Sequence, residues 1–171
     1  MNEEVFDVVN ERDEVVARRP RSEVHRLGLR HRAVHILVVN RRGRVFLQKR
    51  SWKKDTYPGT WDSSASGHLG SGEDYDAAAV RELREELGLD PAQLPVRLFK
   101  VEACAETGQE FVWVYRLGAE GPFRWDLEEI EAGDWFAPEE VTRWMLERPE
   151  EMASAFRLVW RRVVSGNHLD V

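Results

Sequence analysis

The segment from Gly67 to Leu89 limits what this chain can fold into more tightly than any other part of its 171 residues. It reads Gly-His-Leu-Gly-Ser-Gly-Glu-Asp-Tyr-Asp-Ala-Ala-Ala-Val-Arg-Glu-Leu-Arg-Glu-Glu-Leu-Gly-Leu, a glycine-rich lead into a helix-forming stretch. Glu82, Glu85 and Glu86 are three and four residues apart, so on a helix they share an arc of about 100°. Val80, Leu83 and Leu87 project from the opposite side and supply an apolar face. Three like charges at that spacing repel one another, and a surface helix gains nothing from them unless a cation neutralises the cluster. Carboxylate oxygens with room for waters and phosphate oxygens suit Mg²⁺ or Mn²⁺. Arg81 is placed to orient Glu73 or a neighbouring carboxylate through a bidentate pair. Gly67, Gly70 and Gly72 let backbone approach a metal or phosphate closely. Asp74 and Asp76 fall at the helix start, where negative charge complements the dipole, and Gly88, followed by Pro91, ends it.

Gly67, Glu73, Arg81, Glu82, Leu83, Glu85, Glu86, Gly88 and Leu89 satisfy the pattern G-x5-E-x7-R-E-U-x-E-E-x-G-U, with U aliphatic, without a miss. At average amino-acid usage this coincidence arises roughly once in 10⁹ to 10¹⁰ starting positions. The pattern is the signature of the Nudix hydrolases, and the chain resembles that superfamily. The resemblance implies an α/β fold, the Nudix-type α/β/α sandwich with a mixed sheet, and a Mg²⁺ (or Mn²⁺) cofactor. It implies Glu82, Glu85 and Glu86 as catalytic metal ligands, with Gly67 beside them and Arg81 and Glu73 in support. Many Nudix proteins carry an acid shortly before an aromatic strand that reaches the metal; Glu129 is the best match, with Glu128 and Glu131 behind it. Glu106 and Glu110 are further candidates for a base or an extra ligand.

A second resemblance covers about His25 to His68. Leu47-Gln48-Lys49-Arg50-Ser51, Pro58-Gly59 and Ser66-Gly67-His68 are similar to the type I isopentenyl-diphosphate isomerases, which share the Nudix fold. Those enzymes use three histidines and glutamates for a metal. His25, His31, His68 and Glu110 fall at matching places, the first interval being one residue shorter. The resemblance implies a second, softer metal there, such as Zn²⁺ or Mn²⁺. Zn–N bonds of about 2.0–2.1 Å require the three rings to lie within about 5 Å of one another. The isomerase's catalytic cysteine is replaced by Ser66, whose hydroxyl is too weak an acid to take over the thiol's proton transfer. The isomerases also carry a degraded box, whereas this one is intact. The expectation is a hydrolase from the isomerase-like side of the superfamily.

Around the box the pattern predicts a hairpin from Phe6–Asn10 and Glu14–Ala17, and a short helix at Ser22–Leu27 capped by Ser22. It predicts strands at 32–40, 44–48, 63–67, 96–105 and 110–117, an extended piece at 122–127 and a short strand at 134–136. Helices are expected to about Leu146 and from Glu151 to Val164, the latter with Met152, Phe156, Val159, Trp160 and Val163 on one side. Strands flanked by helices imply the α/β/α sandwich, and residues 1–171 read as one domain, with an N-terminal hairpin and short helix in 1–30 and a C-terminal helix in 149–171.

Lys49, Arg50, Lys53 and Lys54 form a basic cluster suited to docking substrate phosphates. Of the seven tryptophans, Trp113, Trp144 and Trp160 read as core, whereas Trp52, Trp61 and Trp125 lie in or near loops that could line a pocket. A net charge of −6 argues against nonspecific nucleic-acid binding. Cys104 is the sole cysteine, the start is acidic, and the aliphatic run Ala33–Val39 is too short to span a bilayer. Together these point to the cytoplasm, a small-molecule diphosphate as partner, neither nucleic acid nor membrane, and a monomer or homodimer. The leading expectation is Mg²⁺-dependent hydrolysis of a nucleoside diphosphate linked to another moiety, X, by water attack on phosphorus. The alternatives are isomerisation of an isoprenoid diphosphate and a non-catalytic nucleotide sensor.

Overall fold

The computed structural model describes residues 2–169. In chain order its elements are β1 (Val5–Val9), β2 (Val15–Pro20), α1 (Arg21–Leu27), β3 (His31–Val39), β4 (Val45–Arg50), β5 (Trp61–Asp62), β6 (Ala65–His68), α2 (Tyr75–Leu87), β7 (Val96–Val101), β8 (Glu110–Gly118), β9 (Ile130–Phe136), α3 (Pro138–Glu147) and α4 (Ser154–Ser165), with a 3₁₀ turn at Pro149–Glu151 before α4. Strand β3 is the axis. Its run of Val, Ile and Leu is buried on both faces, as a central strand with a parallel neighbour requires. That neighbour is β8, aligned from His31 opposite Glu110 to Val39 opposite Gly118. On its other edge β3 pairs antiparallel with β6, Ala33 opposite His68 through Ile36 opposite Ala65. It meets β4 only at Val39–Val45, and β4 pairs instead with β9 and β5. The sheet order is β5-β4-β3-β8-β7.

Alternation along β3 sends successive side chains to opposite layers. Val34, Ile36 and Val38 pack with Ala78, Ala79, Leu83 and Leu87 of α2. Ala33 and Leu37 pack with Val141 and Met145 of α3 and Phe156, Val159, Trp160 and Val163 of α4. The result is the expected α/β/α sandwich on a mixed sheet.

The hairpin β1–β2 pairs only with itself in the sheet sense and adds a small core of Phe6, Val8 and Val24. Polar contacts fix it to the body. Asp13, at the hairpin turn, accepts hydrogen bonds from Arg32 Nε (2.6 Å), Lys100 Nζ (2.6 Å) and the Tyr75 hydroxyl (2.7 Å). Asp7, also buried, accepts from Ser71 Oγ (2.8 Å) and the Gly72 amide (2.9 Å).

Several boundaries differ from the sequence expectation. Residues 122–127 form no strand; a cis Gly121–Pro122 bond turns the chain, and the strand expected at 134–136 instead begins at Ile130, where pairing with Arg50 extends it. Strand β7 stops at Val101. Helix α1 starts after Pro20 rather than at a Ser22 cap, because the Ser22 amide is taken by Glu3 Oε1 (2.6 Å). The last helix begins at Ser154, since the Ala153 amide bonds the Trp61 carbonyl and holds Met152–Ala153 extended.

Burial tends to raise the Asp13 carboxyl pKa, but its three hydrogen bonds outweigh this and hold it below the ordinary carboxylate value. With the folded value depressed, its stabilisation is complete above the unfolded pKa of about 3.9 and fades as pH falls through the folded value. Asp13→Asn is therefore expected to lower unfolding free energy by about 1–3 kcal/mol at pH 7, with the difference from wild type shrinking below pH 4. Urea titrations at pH 7 and pH 3.5 measure both.

Candidate active site

The site is built where β6 hands the chain to α2. Asp74 caps α2, its side chain accepting from the Ala77 amide (2.8 Å). Gly88 ends it in the left-handed conformation at φ 61°, with amide bonds back to Arg84 and, from Leu89, to Leu83. Between these ends, one face of α2 carries Glu82, Glu85 and Glu86, and all three line a cavity of about 770 Å³. Gly67 crosses directly over Glu82: a Cβ built there would lie 2.0 Å from Glu82 Oε1, so any larger residue would push that carboxylate out of place.

Arg81 organises the acids. Its Nε and Nη2 grip the two Glu73 oxygens at 2.8 and 2.9 Å, and Nη1 reaches Glu82 (2.7 Å) and Glu85 (3.0 Å). Nη2 also bonds the His68 carbonyl at 2.9 Å, tying helix to strand. Glu73 in turn accepts from the Gly70 amide at 3.0 Å. The hydrogen bonds it donates to Glu73, and then the charge of Glu82 beside it, raise the guanidinium pKa above its ordinary value and keep it charged. Glu86, partly buried, opens on the cavity, its carboxylate accepting from Gln48 Nε2 and, at 3.4 Å, the Ser66 amide. Burial, with Glu82 adding repulsion, pushes Glu86 up to about 8. Burial likewise pushes Glu82 up to about 7, against the pull of Arg81.

A second cluster adjoins the cavity, whose lining includes His25, His68 and Glu110, with His31 buried behind them. His25 from α1, His31 from β3 and His68 from β6 place one ligand atom each within 4.8 Å of the others. Ring centroids stand 5.1–5.3 Å apart, just past the bound set from the sequence. The coordinating nitrogens rather than the centroids decide, and these are closer. Glu110, at the head of β8, lies 2.7 Å from His68 Nε2 and 3.4 Å from His31 Nε2. His31 Nδ1 donates to the Leu29 carbonyl at 2.9 Å, which leaves Nε2 as a buried nitrogen without a hydrogen-bond partner. Burial opposes ionisation of Glu110, but His31 and His68 outweigh it and hold the carboxyl well below the usual range. Burial, then neighbouring cationic groups, pushes His25 down to about 4.

The basic residues divide. Arg50, Lys53 and Lys54 line the cavity, whereas Lys49 lies outside its lining, paired with Glu131 at 3.3 Å and set over Trp52. Lys53 pairs with Glu128 and Lys54 with Glu129, joining the loop after β4 to the loop before β9. Of the downstream acids, Glu106, Glu110 and Glu129 face the cavity, while Glu128 and Glu131 are absent from its lining. None of the tryptophans lines it: Trp61 packs with Phe136 and Trp144, Trp125 with Phe46, and Trp52 lies exposed against Gly59. Sequence reasoning missed Arg21, His35 and Asp62, which also line the cavity. A histidine inside an aliphatic strand was the available signal for His35; nothing in the local pattern marks Arg21 or Asp62.

The model of the NUDIX domain family matches residues 29–158. The chain belongs to the Nudix hydrolase family. An uncharacterized Nudix hydrolase of Yersinia pestis is 38% identical over 144 residues, covering 81% of this chain and 76% of that protein. The crystal structure of DR0079 from Deinococcus radiodurans superposes with a TM-score of 0.83 at 31% identity, over 93% of this chain and 98% of that one. The Nudix domain of Shewanella oneidensis NrtR, crystallised with ADP ribose, shares the fold at 13% identity and a TM-score of 0.62, over 79% of this chain and 86% of that one.

In this Nudix protein the crossing of Gly67 over Glu82 gives a direct test. Gly67→Ala is expected to lower stability by about 1–3 kcal/mol through overpacking and to reduce the gain in melting temperature on adding millimolar Mg²⁺. Thermal melts with and without the metal measure both effects.

Proposed function

We propose that the protein is a Mg²⁺-dependent hydrolase that cleaves the diphosphate of a nucleoside diphosphate linked to a moiety X. The observation that carries this reading is the single cavity in which Glu82, Glu85 and Glu86 meet Arg50, Lys53 and Lys54. An all-oxygen donor set suits Mg²⁺ or Mn²⁺. A divalent cation also offsets the burial and repulsion that push Glu82 and Glu86 upward. Glu82, Glu85 and Glu86 would hold the ion, with Gly67 and Glu129 at its margin. When bound, it would polarise the phosphoryl oxygens and stabilise charge developing on the bridge.

The chain's own residues supply the rest. Arg81 and Glu73 fix the acids against their mutual repulsion, and the basic rim orients the phosphates. Lys53 and Lys54 exchange Glu128 and Glu129 for phosphate oxygens as substrate enters. The attacking water gives its proton to a carboxylate facing the cavity, Glu82, Glu86, Glu106 or Glu129. Glu110 is set apart from these because its Oε1 is held by His68 at 2.7 Å, with His31 Nε2 3.4 Å away. We place the activity in the cytoplasm, in a single domain acting as a monomer or homodimer on a small molecule. Among the described residues, no helix is long and apolar enough to cross a membrane.

Glu85→Gln and Glu86→Gln are each expected to cut turnover by orders of magnitude while metal-free melting temperature holds or rises, because like-charge repulsion is relieved. A panel of nucleoside diphosphates, triphosphates, dinucleotides and nucleotide sugars, assayed with Mg²⁺ and with Mn²⁺, measures this. Variants that turn over the best substrate at wild-type rates, or a wild-type protein inert to the whole panel, would count against the hydrolase and favour a sensor.

The histidine cluster favours a second reading for its own part of the cavity. The buried, unpartnered His31 Nε2 points to an absent electrophile, and three imidazoles with one carboxylate suit Zn²⁺ or Mn²⁺. We infer a second metal site at His25, His31, His68 and Glu110, and no isomerase activity, since Ser66 stands where that chemistry needs a thiol. Elemental analysis of chelator-free protein should find about one Zn²⁺ or Mn²⁺ per chain, lost in His31→Gln. Metal-free wild type, or conversion of isopentenyl diphosphate, contradicts one half of the reading each.

A further inference from the structure

His35 is a polar residue on the most apolar strand of the molecule. It is 4% exposed, flanked in sequence by Val34 and Ile36, and lies opposite Ser66 across the β3–β6 pairing. Burying an imidazole among aliphatic side chains is unfavourable unless its polar atoms are engaged. One of them is. Nδ1 sits 2.7 Å from Ser63 Oγ and 3.7 Å from Asp62 Oδ1. Asp62, also 4% exposed, is fixed by the Ser63 amide (2.7 Å) and by Arg50 Nη1 (3.4 Å). With the Asp62 carboxylate close behind Nδ1 and Ser63 Oγ able to accept, we assign the proton to Nδ1, the tautomer in which Nε2 carries the lone pair. Among the described residues Nε2 has no hydrogen-bond partner, and the ring lines the cavity.

The surroundings define what can meet it. Ala33, two residues before it on the same face of β3, lines the same cavity, as do Ala153 and Ala155, so the lining includes small side chains. Ser66 is its cross-strand neighbour, which brings a hydroxyl to about 4.5–5.5 Å at the Cβ level. An acceptor next to a hydroxyl suits a group that both donates and accepts, namely an alcohol. Apart from histidines, Tyr57 is the aromatic residue in the lining among the described residues, and its hydroxyl is tied to Ser154 Oγ at 2.7 Å. The niche therefore favours a polar, hydroxylated group over a stacked base.

We propose that His35 is a further substrate-positioning residue, whose Nε2 accepts a hydrogen bond from a hydroxyl of the non-reacting moiety X, so that X is a sugar or other polyol. The proposal deepens the hydrolase reading above and rests on it for the identity of the diphosphate. Asp62 and Ser63 act through His35 by fixing its tautomer and orientation, and Asp62 at the same time aligns Arg50 on the phosphates. One buried carboxylate thereby sets the distance between the phosphate grip and the hydroxyl grip.

The test uses non-hydrolysable ligands, so that binding is read separately from turnover. Two methylene-bridged adenosine diphosphate analogues are titrated calorimetrically in Mg²⁺, one carrying a terminal ribose and one a cyclopentyl group without hydroxyls. Wild type is expected to bind the ribosyl analogue about tenfold more tightly. His35→Phe should bring the two affinities together while leaving that for the cyclopentyl analogue unchanged, and His35→Gln, which keeps an acceptor, should restore part of the preference. If the Phe variant does not fold, His35→Leu, which also lacks an acceptor, replaces it with the same expectation. A wild type without preference, whether it binds both analogues equally or neither, overturns the proposal, as does a preference that survives loss of the imidazole. Turnover of the cleavable counterparts is measured alongside: wild type that prefers the ribosyl analogue but cleaves nothing refutes the hydrolase and leaves His35's role standing.

Discussion

The arrangement of this molecule hangs on one guanidinium. Arg81 satisfies Glu73, Glu82 and Glu85 and at the same time bonds the His68 carbonyl, so one side chain both balances the acids of α2 and locks that helix to strand β6. Without it three carboxylates would face one another across a single helix turn, and the strand bearing Gly67 and His68 would lose its register to the helix below. Lysine could not substitute, because a point charge on a flexible stem cannot meet five acceptor atoms arranged around a plane. The hydrophobic contact of Leu83 and Leu87 with the sheet sets the distance between α2 and β6; Arg81 sets the angular position of everything polar.

Strand β6 then works as a divider. Three consecutive residues, Ser66, Gly67 and His68, serve different parts of the cavity because alternate side chains leave a strand on opposite faces. Gly67 lies over Glu82, His68 joins the imidazole cluster with Glu110, and Ser66 faces His35 while its amide reaches Glu86. A shift of one residue would exchange these roles, so the four paired positions with β3 are a condition for the site as well as for the sheet.

What the sequence disclosed follows from range. The carboxylate helix, its caps and Arg81 were legible because each partner lies within one or two helix turns, where spacing dictates geometry. The sandwich was legible from aliphatic strands and amphipathic helices. The grouping of His25, His31, His68 and Glu110 could be anticipated from resemblance alone, because four elements carry them. Asp62 and His35 are 27 positions apart and their meeting depends on β3, β5 and β6 converging, which no local pattern encodes. The exclusion of Lys49 from the cavity has the same origin: it alternates with Arg50 along β4, and only the pairing with β9 decides which of the two faces inward. The tryptophans illustrate the opposite error. Trp61 and Trp125 flank loops in sequence but are drawn into aromatic clusters by β9 and α3, which supply Trp135, Phe136 and Trp144.

The hairpin before α1 has a meaning for how such a scaffold can be divided. It precedes residues 29–158, which the Nudix domain model matches, yet Asp7 holds the Ser71 hydroxyl and the Gly72 amide, and the Val5 carbonyl receives the Ser71 amide. The glycine loop in front of α2 thus takes its shape from residues more than sixty positions upstream. Excising residues 29–158 alone would remove a mould from the loop it casts. A relative built without this hairpin must support the same glycines from some other direction, and its loop can be recognised by what replaces Asp7.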